Sequence, residues 1–144
     1  METRQYHHID GIIDKKRVES RILEEVIQKA VQSGHRNIEV SAYGQHGIGG
    51  RLWRSQDAPV YIRIEGQSGQ RAGSMGLPGT TIEIMGPASD DTGWLNTGAE
   101  IIVHGHASNG VGNAMAQGKI FIGGNLGSRA MTMTKHNPRF EPPE

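Results

Sequence analysis

The sequence predicts an all-β chain: a right-handed parallel β-helix, wound as a single-stranded solenoid with coils of about 19–20 residues, behind one N-terminal capping α-helix. Three observations predict it, namely a near-constant period, a β-type alternation in phase with it, and glycines at matching places in successive periods. Four segments align, Ile62–Gly66, Ile82–Gly86, Ile101–Gly105 and Ile120–Gly124, with first residues 20, 19 and 19 positions apart. Repetition on this scale marks a solenoid, whose units bury a core only by stacking on one another. Alternation places Ile62/Ile64, Ile82/Ile84, Ile101/Val103 and Ile120/Ile122 on one face, so stacking strands builds two aliphatic columns.

The N-terminal segment, residues 1–36, contains an amphipathic helix over Val18–Ser33. Val18, Ile22, Val26 and Ala30 form one ridge, and Leu23, Ile27 and Val31 the adjoining one. Asp14 is the expected cap at its start and Gly34 the expected stop. Next come a strand at Ile38-Glu39-Val40, a glycine-rich turn over Tyr43–Gly50, and an irregular first coil through Arg51-Leu52-Trp53.

The β-helix proper is read over 37–130. Its coils carry marker glycines Gly66, Gly86, Gly105 and Gly124, with further glycines at Gly73, Gly93 and Gly112 and at Gly79, Gly98 and Gly118. At these corners a Cβ would either forbid the backbone angles or hold neighbouring coils apart. Two residues past each marker stand Ser68, Ala88, Ala107 and Leu126; four past it stand the polar Gln70, Asp90, Asn109 and Ser128, a column suited to a side-chain ladder. A disordered glycine-rich segment has no reason to keep β-branched pairs in phase. A doubly wound α/β fold needs helices between strands, and 67–80 and 87–98 are broken by glycine and proline. The outward row is Arg63, Glu83, Ile102, Phe121, an expected ion pair followed by an apolar pair that requires a cover. Residues 131–144 read as a tail or as the start of further coils in a longer chain, and the last coil is expected to be covered by a partner, a second copy or further sequence.

Glycine supplies 21 of 144 residues, about twice the usual ~7%. Basic and acidic residues balance at 15 each, so charge gives no reason to expect nucleic acid or an anionic membrane as partner. With no cysteine the chain offers no disulfide, thiolate nucleophile or cysteine metal ligand. No apolar run has the length of a membrane span, and no apolar stretch follows the N-terminus as a secretory signal requires; the expectation is a soluble, cytoplasmic protein.

Candidate chemistry is sparse. His104 and His106 form an His-x-His pair at a strand end, a surface pair unless they contribute to a metal site. His7-His8 read as a solvated terminus, and His46 is the histidine best placed to reach a pocket. Gly110-Val111-Gly112 begins like a dinucleotide fingerprint but lacks the third glycine and the long helix. Asp90-Asp91 is a carboxylate pair, but it sits at the polar corner that Gln70 and Asn109 occupy in neighbouring coils. No catalytic, cofactor-binding or metal residue is assigned.

The run Gly66-Gln67-Ser68-Gly69-Gln70-Arg71-Ala72-Gly73, then Ile82–Gly86, Ala88-Ser89-Asp90-Asp91-Thr92-Gly93 and Gly98–Val103, resembles the C-terminal GXGXG domain of the glutamate synthase large subunit. The likeness spans about residues 38–130, and the chain is similar also to the β-helical component of formylmethanofuran dehydrogenase, which shares the fold. The resemblance implies a β-helix that supplies no catalytic residue and packs beside glutaminase and flavin-binding synthase parts. FMN and iron–sulfur groups are then expected on those partners and none on this chain. Ile102 and Phe121, with Tyr43 and Trp53, are the expected partner-facing residues, and the uncapped coil is open to self-association. The remaining alternative is an independent enzyme using a groove near His46 and His104.

Overall fold

The structure, a computed structural model, describes residues 5–50, 52, 58–115, 117–125 and 127. Trp53, Leu126, Ser128 and the segment 131–144 lie outside the described residues. The fold is a β-solenoid of about four turns with one helix. Strands β1 (His7–Asp10), β2 (Ile12–Ile13) and β3 (Lys16–Arg17) precede helix α1 (Ser20–Gln32). Then follow β4 (Asn37–Tyr43), β5 (Val60–Gln67), β6 (Thr80–Ile84), β7 (Thr97–Val103) and β8 (Gln117–Ile122). A six-stranded parallel sheet runs in the order β1-β4-β5-β6-β7-β8, one strand per turn. Coils 1 to 4 begin with β4, β5, β6 and β7 in turn, and β8 opens the next.

The register joins the inward residues into two unbroken rows. One runs Ile38, Ile62, Ile82, Ile101, Ile120; the other runs Ile9, Val40, Ile64, Ile84, Val103, Ile122. All the members on β4–β7 are buried, whereas Ile120 and Ile122 on the last strand are only partly so. Among the described residues the core is therefore least covered at β8.

Each corner repeats an unusual backbone rhythm, with left-handed residues at alternate positions. Arg71, Gly73 and Met75 have φ of 60, 68 and 52°, and Asp91, Gly93 and Leu95 have 57, 72 and 54°. Gly110, Gly112 and Ala114 follow the same course at 75, 68 and 57°. Alternation points successive N–H groups toward opposite neighbours. Gly73 and Gly93 donate back to Ile48 O and Ala72 O, both at 2.8 Å, while Arg71 and Met75 donate forward to Asp90 O and Trp94 O at 2.9 and 2.7 Å. These bonds offset the ~1–2 kcal/mol that a left-handed side chain costs. The middle position is glycine for a second reason: a Cβ on Gly73 would lie 2.7 Å from Ile101 Cδ1, inside the aliphatic row.

The helix is placed differently from the expectation. β1 pairs in parallel with β4, so α1 is the crossover between them rather than a separate plug, and Leu23, Ile27, Ala30 and Val31 bury into the common core. The Leu23, Ile27 and Val31 ridge is wholly buried, whereas the other is split: Ala30 is buried and Val18 packs against the core, but Ile22 and Val26 are each 40% exposed. Asp14 does not cap the helix. It forms, with Lys15, the two-residue turn of the β2–β3 hairpin, both with positive φ as a type I′ turn demands. The helix starts after Glu19, without a side-chain cap. It ends as expected at Gly34, where His35 N–H donates to Ala30 O and Gly34 N–H to Val31 O, a Schellman closure.

His7 and His8 belong to β1 and are not a free terminus. His7 stacks on His35 with ring centres 3.9 Å apart, and His8 Nδ1 lies 3.2 Å from Glu39 Oε1. Gln45, fully buried, fastens the hairpin to coil 1: its Nε2 donates to Gly11 O and Val18 O, each at 3.0 Å, and its Oε1 accepts from Tyr43 N at 2.7 Å. No helix among the described residues is long and apolar enough to cross a membrane.

Candidate functional site

Two surfaces concentrate the residues singled out by the sequence, the outer face of the sheet and the polar corner. On the outer face the in-register row runs His8, Glu39, Arg63, Glu83, Ile102, Phe121. Its first part is occupied by paired charges, although not in the expected pairing. Arg63 and Glu83 are cross-strand neighbours, yet Arg63 Nη2 meets Glu65 Oε1 on its own strand at 2.8 Å, and Glu83 Oε1 meets His104 Nε2 at 3.5 Å. The Tyr6 side chain, with Glu65 adding to it, holds the Arg63 guanidinium in its charged form more firmly than usual.

Past Glu83 the row becomes apolar. Ile102 is half-buried and Phe121 is 48% exposed. They lie directly side by side on β7 and β8, at the end of the sheet where the core columns are also incompletely covered. Tyr43, 45% exposed, sits on β4, with β5 and β6 between it and this pair. At the usual strand spacing β4 and β7 are ~14 Å apart across the sheet, and Tyr43 lies four residues further along than Glu39 of the row. The expected partner-facing residues Tyr43 and Ile102–Phe121 therefore fall in two patches.

The corner column contains a member that alignment of the marker glycines does not reveal. Pairing Ala42 with Gly66 puts His46 at the place of Gln70 in coil 2, Asp90 in coil 3 and Asn109 in coil 4. Coil 1 has Ala42 where the others have glycine, which hides the match; the 24-residue step from Ile38 to Ile62 is the signal that could have found it. Side chains along this corner clasp the next or previous coil. His46 Nδ1 accepts from Gln70 N–H at 2.9 Å, Ser89 Oγ donates to Ser68 O at 2.8 Å, and Asp90 Oδ1 accepts from Asn109 N–H at 3.0 Å. Three positions before Asn109, His106 Nδ1 accepts from Asn125 N–H at 2.8 Å.

A groove of about 440 Å3 follows this corner between His46 and Ser108, lined almost wholly by polar side chains and glycine. A second, about 350 Å3, lies on the other side of His46 between α1 and the corners, where Arg71 stacks over Trp94 at 4.8 Å. Several polar side chains lining the first groove are engaged in these bonds between coils. The Ser108 hydroxyl and the Asn109 amide hold the Asp90 carboxyl below its usual range, so it is an ionised acceptor at neutral pH rather than a general acid. Asp91 is committed to the left-handed start of its corner at φ 57°. His104 and His106 have separate partners, Glu83 and the Asn125 amide. Among the described residues no three His, Cys, Asp or Glu side chains converge as metal ligands would.

Gly110-Val111-Gly112 forms the coil 4 corner and leads into a strand, not a helix. The corner and marker glycines meet different neighbours. A Cβ on Gly66 would lie 2.4 Å from Ala42 O, on Gly98 2.6 Å from Pro78 Cγ, and on Gly118 2.4 Å from Ala99 O. On Gly105 it would lie 2.8 Å from Pro87 N and on Gly124 2.5 Å from His106 Nδ1. Gly86 stands apart, with open space around it and no left-handed φ. No family model, curated protein or solved structure matches this chain.

Proposed function

We propose that the chain is a non-catalytic docking part of a glutamate synthase-type complex. It offers the Ile102–Phe121 end of its sheet to a flavin-binding synthase or glutaminase chain. One observation carries the docking role: the outer row turns from paired charges to an apolar pair at the same end where Ile120 and Ile122 leave the core columns partly uncovered. Contiguous apolar surface at an open solenoid end favours association. The phased corner glycines, which carry the resemblance, support the choice of complex. FMN and iron–sulfur groups belong, in this reading, to the partners; a chain without cysteine has no thiolate with which to hold a cluster.

The test is co-purification of the untagged complex from its source, with the bound chains identified by mass spectrometry. A flavin-binding synthase and a glutaminase chain are the expected partners, and Phe121→Glu is expected to release them without lowering the melting temperature of the isolated chain. A molybdenum or tungsten enzyme in the same fraction would point instead to the formylmethanofuran dehydrogenase type. Stoichiometric flavin on the isolated chain would overturn the non-catalytic reading.

A further inference from the structure

His46 and His106 meet backbone amides of the following coil in the same way. Gln70 N–H donates to His46 Nδ1 at 2.9 Å, and Asn125 N–H donates to His106 Nδ1 at 2.8 Å. An amide N–H can only donate, so each ring nitrogen it meets is unprotonated and each neutral ring carries its proton on Nε2. Protonating either ring places an N–H at Nδ1, and two donors then face one another. We infer that His46 and His106 are proton-released clasps: the corner bonds they make, from coil 1 to coil 2 and from coil 4 to the β8 turn, hold only while their rings are neutral.

The junctions between them are closed by groups of another kind. Ser89 donates to Ser68 O between coils 2 and 3, and Asp90 accepts from Asn109 N–H between coils 3 and 4. The hydroxyl does not titrate, and the carboxylate stays ionised below its usual range because Ser108 and Asn109 donate to it. Protonating the two rings therefore opens these two corner bonds and leaves those at the middle junctions made. The charged groups facing His46 are Arg21 and Glu24 from α1 and Arg71 from coil 2 across one groove, and Asp90 from coil 3 across the other. Both signs stand on the side toward α1, and a single carboxylate on the other. No described carboxylate lies within ion-pair distance of His106; the nearest titratable side chain in sequence is His104, which pairs with Glu83. Gly124 closes against the His106 ring, where a Cβ would come within 2.5 Å of Nδ1.

The experiment is amide hydrogen exchange followed by NMR on the whole protein, with protection factors corrected for intrinsic rates at pH 8 and pH 5, alongside the 15N shifts of the rings. The protection of Gln70 and Asn125 is expected to fall about fivefold once the rings are protonated, the usual worth of one hydrogen bond, while Asn109 keeps its protection. His46→Asn and His106→Asn supply an amide oxygen near the Nδ1 position, and each is expected to make its own amide's protection independent of pH. Unchanged protection at Gln70 and Asn125 across the titration would overturn the inference. So would a proton found on Nδ1 at pH 8, or loss of Asn109 protection together with the other two.

Discussion

A methyl group added at Gly93 would lie 2.6 Å from Ile120 Cδ1 and 3.2 Å from Ile101 Cδ1, on a backbone at φ 72°. Left-handed strain and overpacking act together there, and Gly93→Ala is expected to lower stability by ~2–4 kcal/mol in urea unfolding. Gly86→Ala, in open space and without a left-handed φ, is expected to change it by under ~0.5 kcal/mol. Period alone cannot separate these two glycines, because both recur in phase. Asp90 supplies the pH dependence at this scale. Its folded pKa is lowered from 3.8 by donors that favour the carboxylate. Its contribution is thus present above the unfolded value and lost as pH falls through the lower folded one. The gap in denaturation midpoint between the wild type and Asp90→Ala is expected to hold at pH 6 and to shrink once pH falls below 3.8.

Helix α1 shows how an element can be legible and still be misplaced. Its period, its glycine stop and both apolar ridges can be read from the residues. Which ridge residues are buried depends on β1, whose pairing with β4 turns the helix into a crossover and sets its rotation over the core. Leu23 is 1% exposed and Ile22 40%. Leu23→Ala is expected to cost ~2–4 kcal/mol and Ile22→Ala under ~0.5 kcal/mol, measured as shifts of the urea midpoint. Asp14 is open to two readings for a related reason. A short polar residue before an apolar run suits a helix cap and a type I′ hairpin turn equally well, and the local sequence does not distinguish them.

Across the whole molecule, the parallel stacking converts one local alternation into two continuous core rows, and the same register that buries Ile101 brings Ile102 beside Phe121. The proposed docking end is thus a consequence of the fold's one-dimensional order: each coil covers its neighbour, and β8 has the least covered inward residues of the series. The residues alone determined the solenoid, its period, its inward columns and the apolar outward pair, because these follow from a side-chain period of two repeated in phase. Tertiary structure decided three things: the entry of His46 into the corner column, the division of charges between Arg63–Glu65 and Glu83–His104, and the role of β1. Each depends on contacts between segments far apart in the chain, where side-chain reach and strand pairing choose among partners that sequence spacing leaves equivalent.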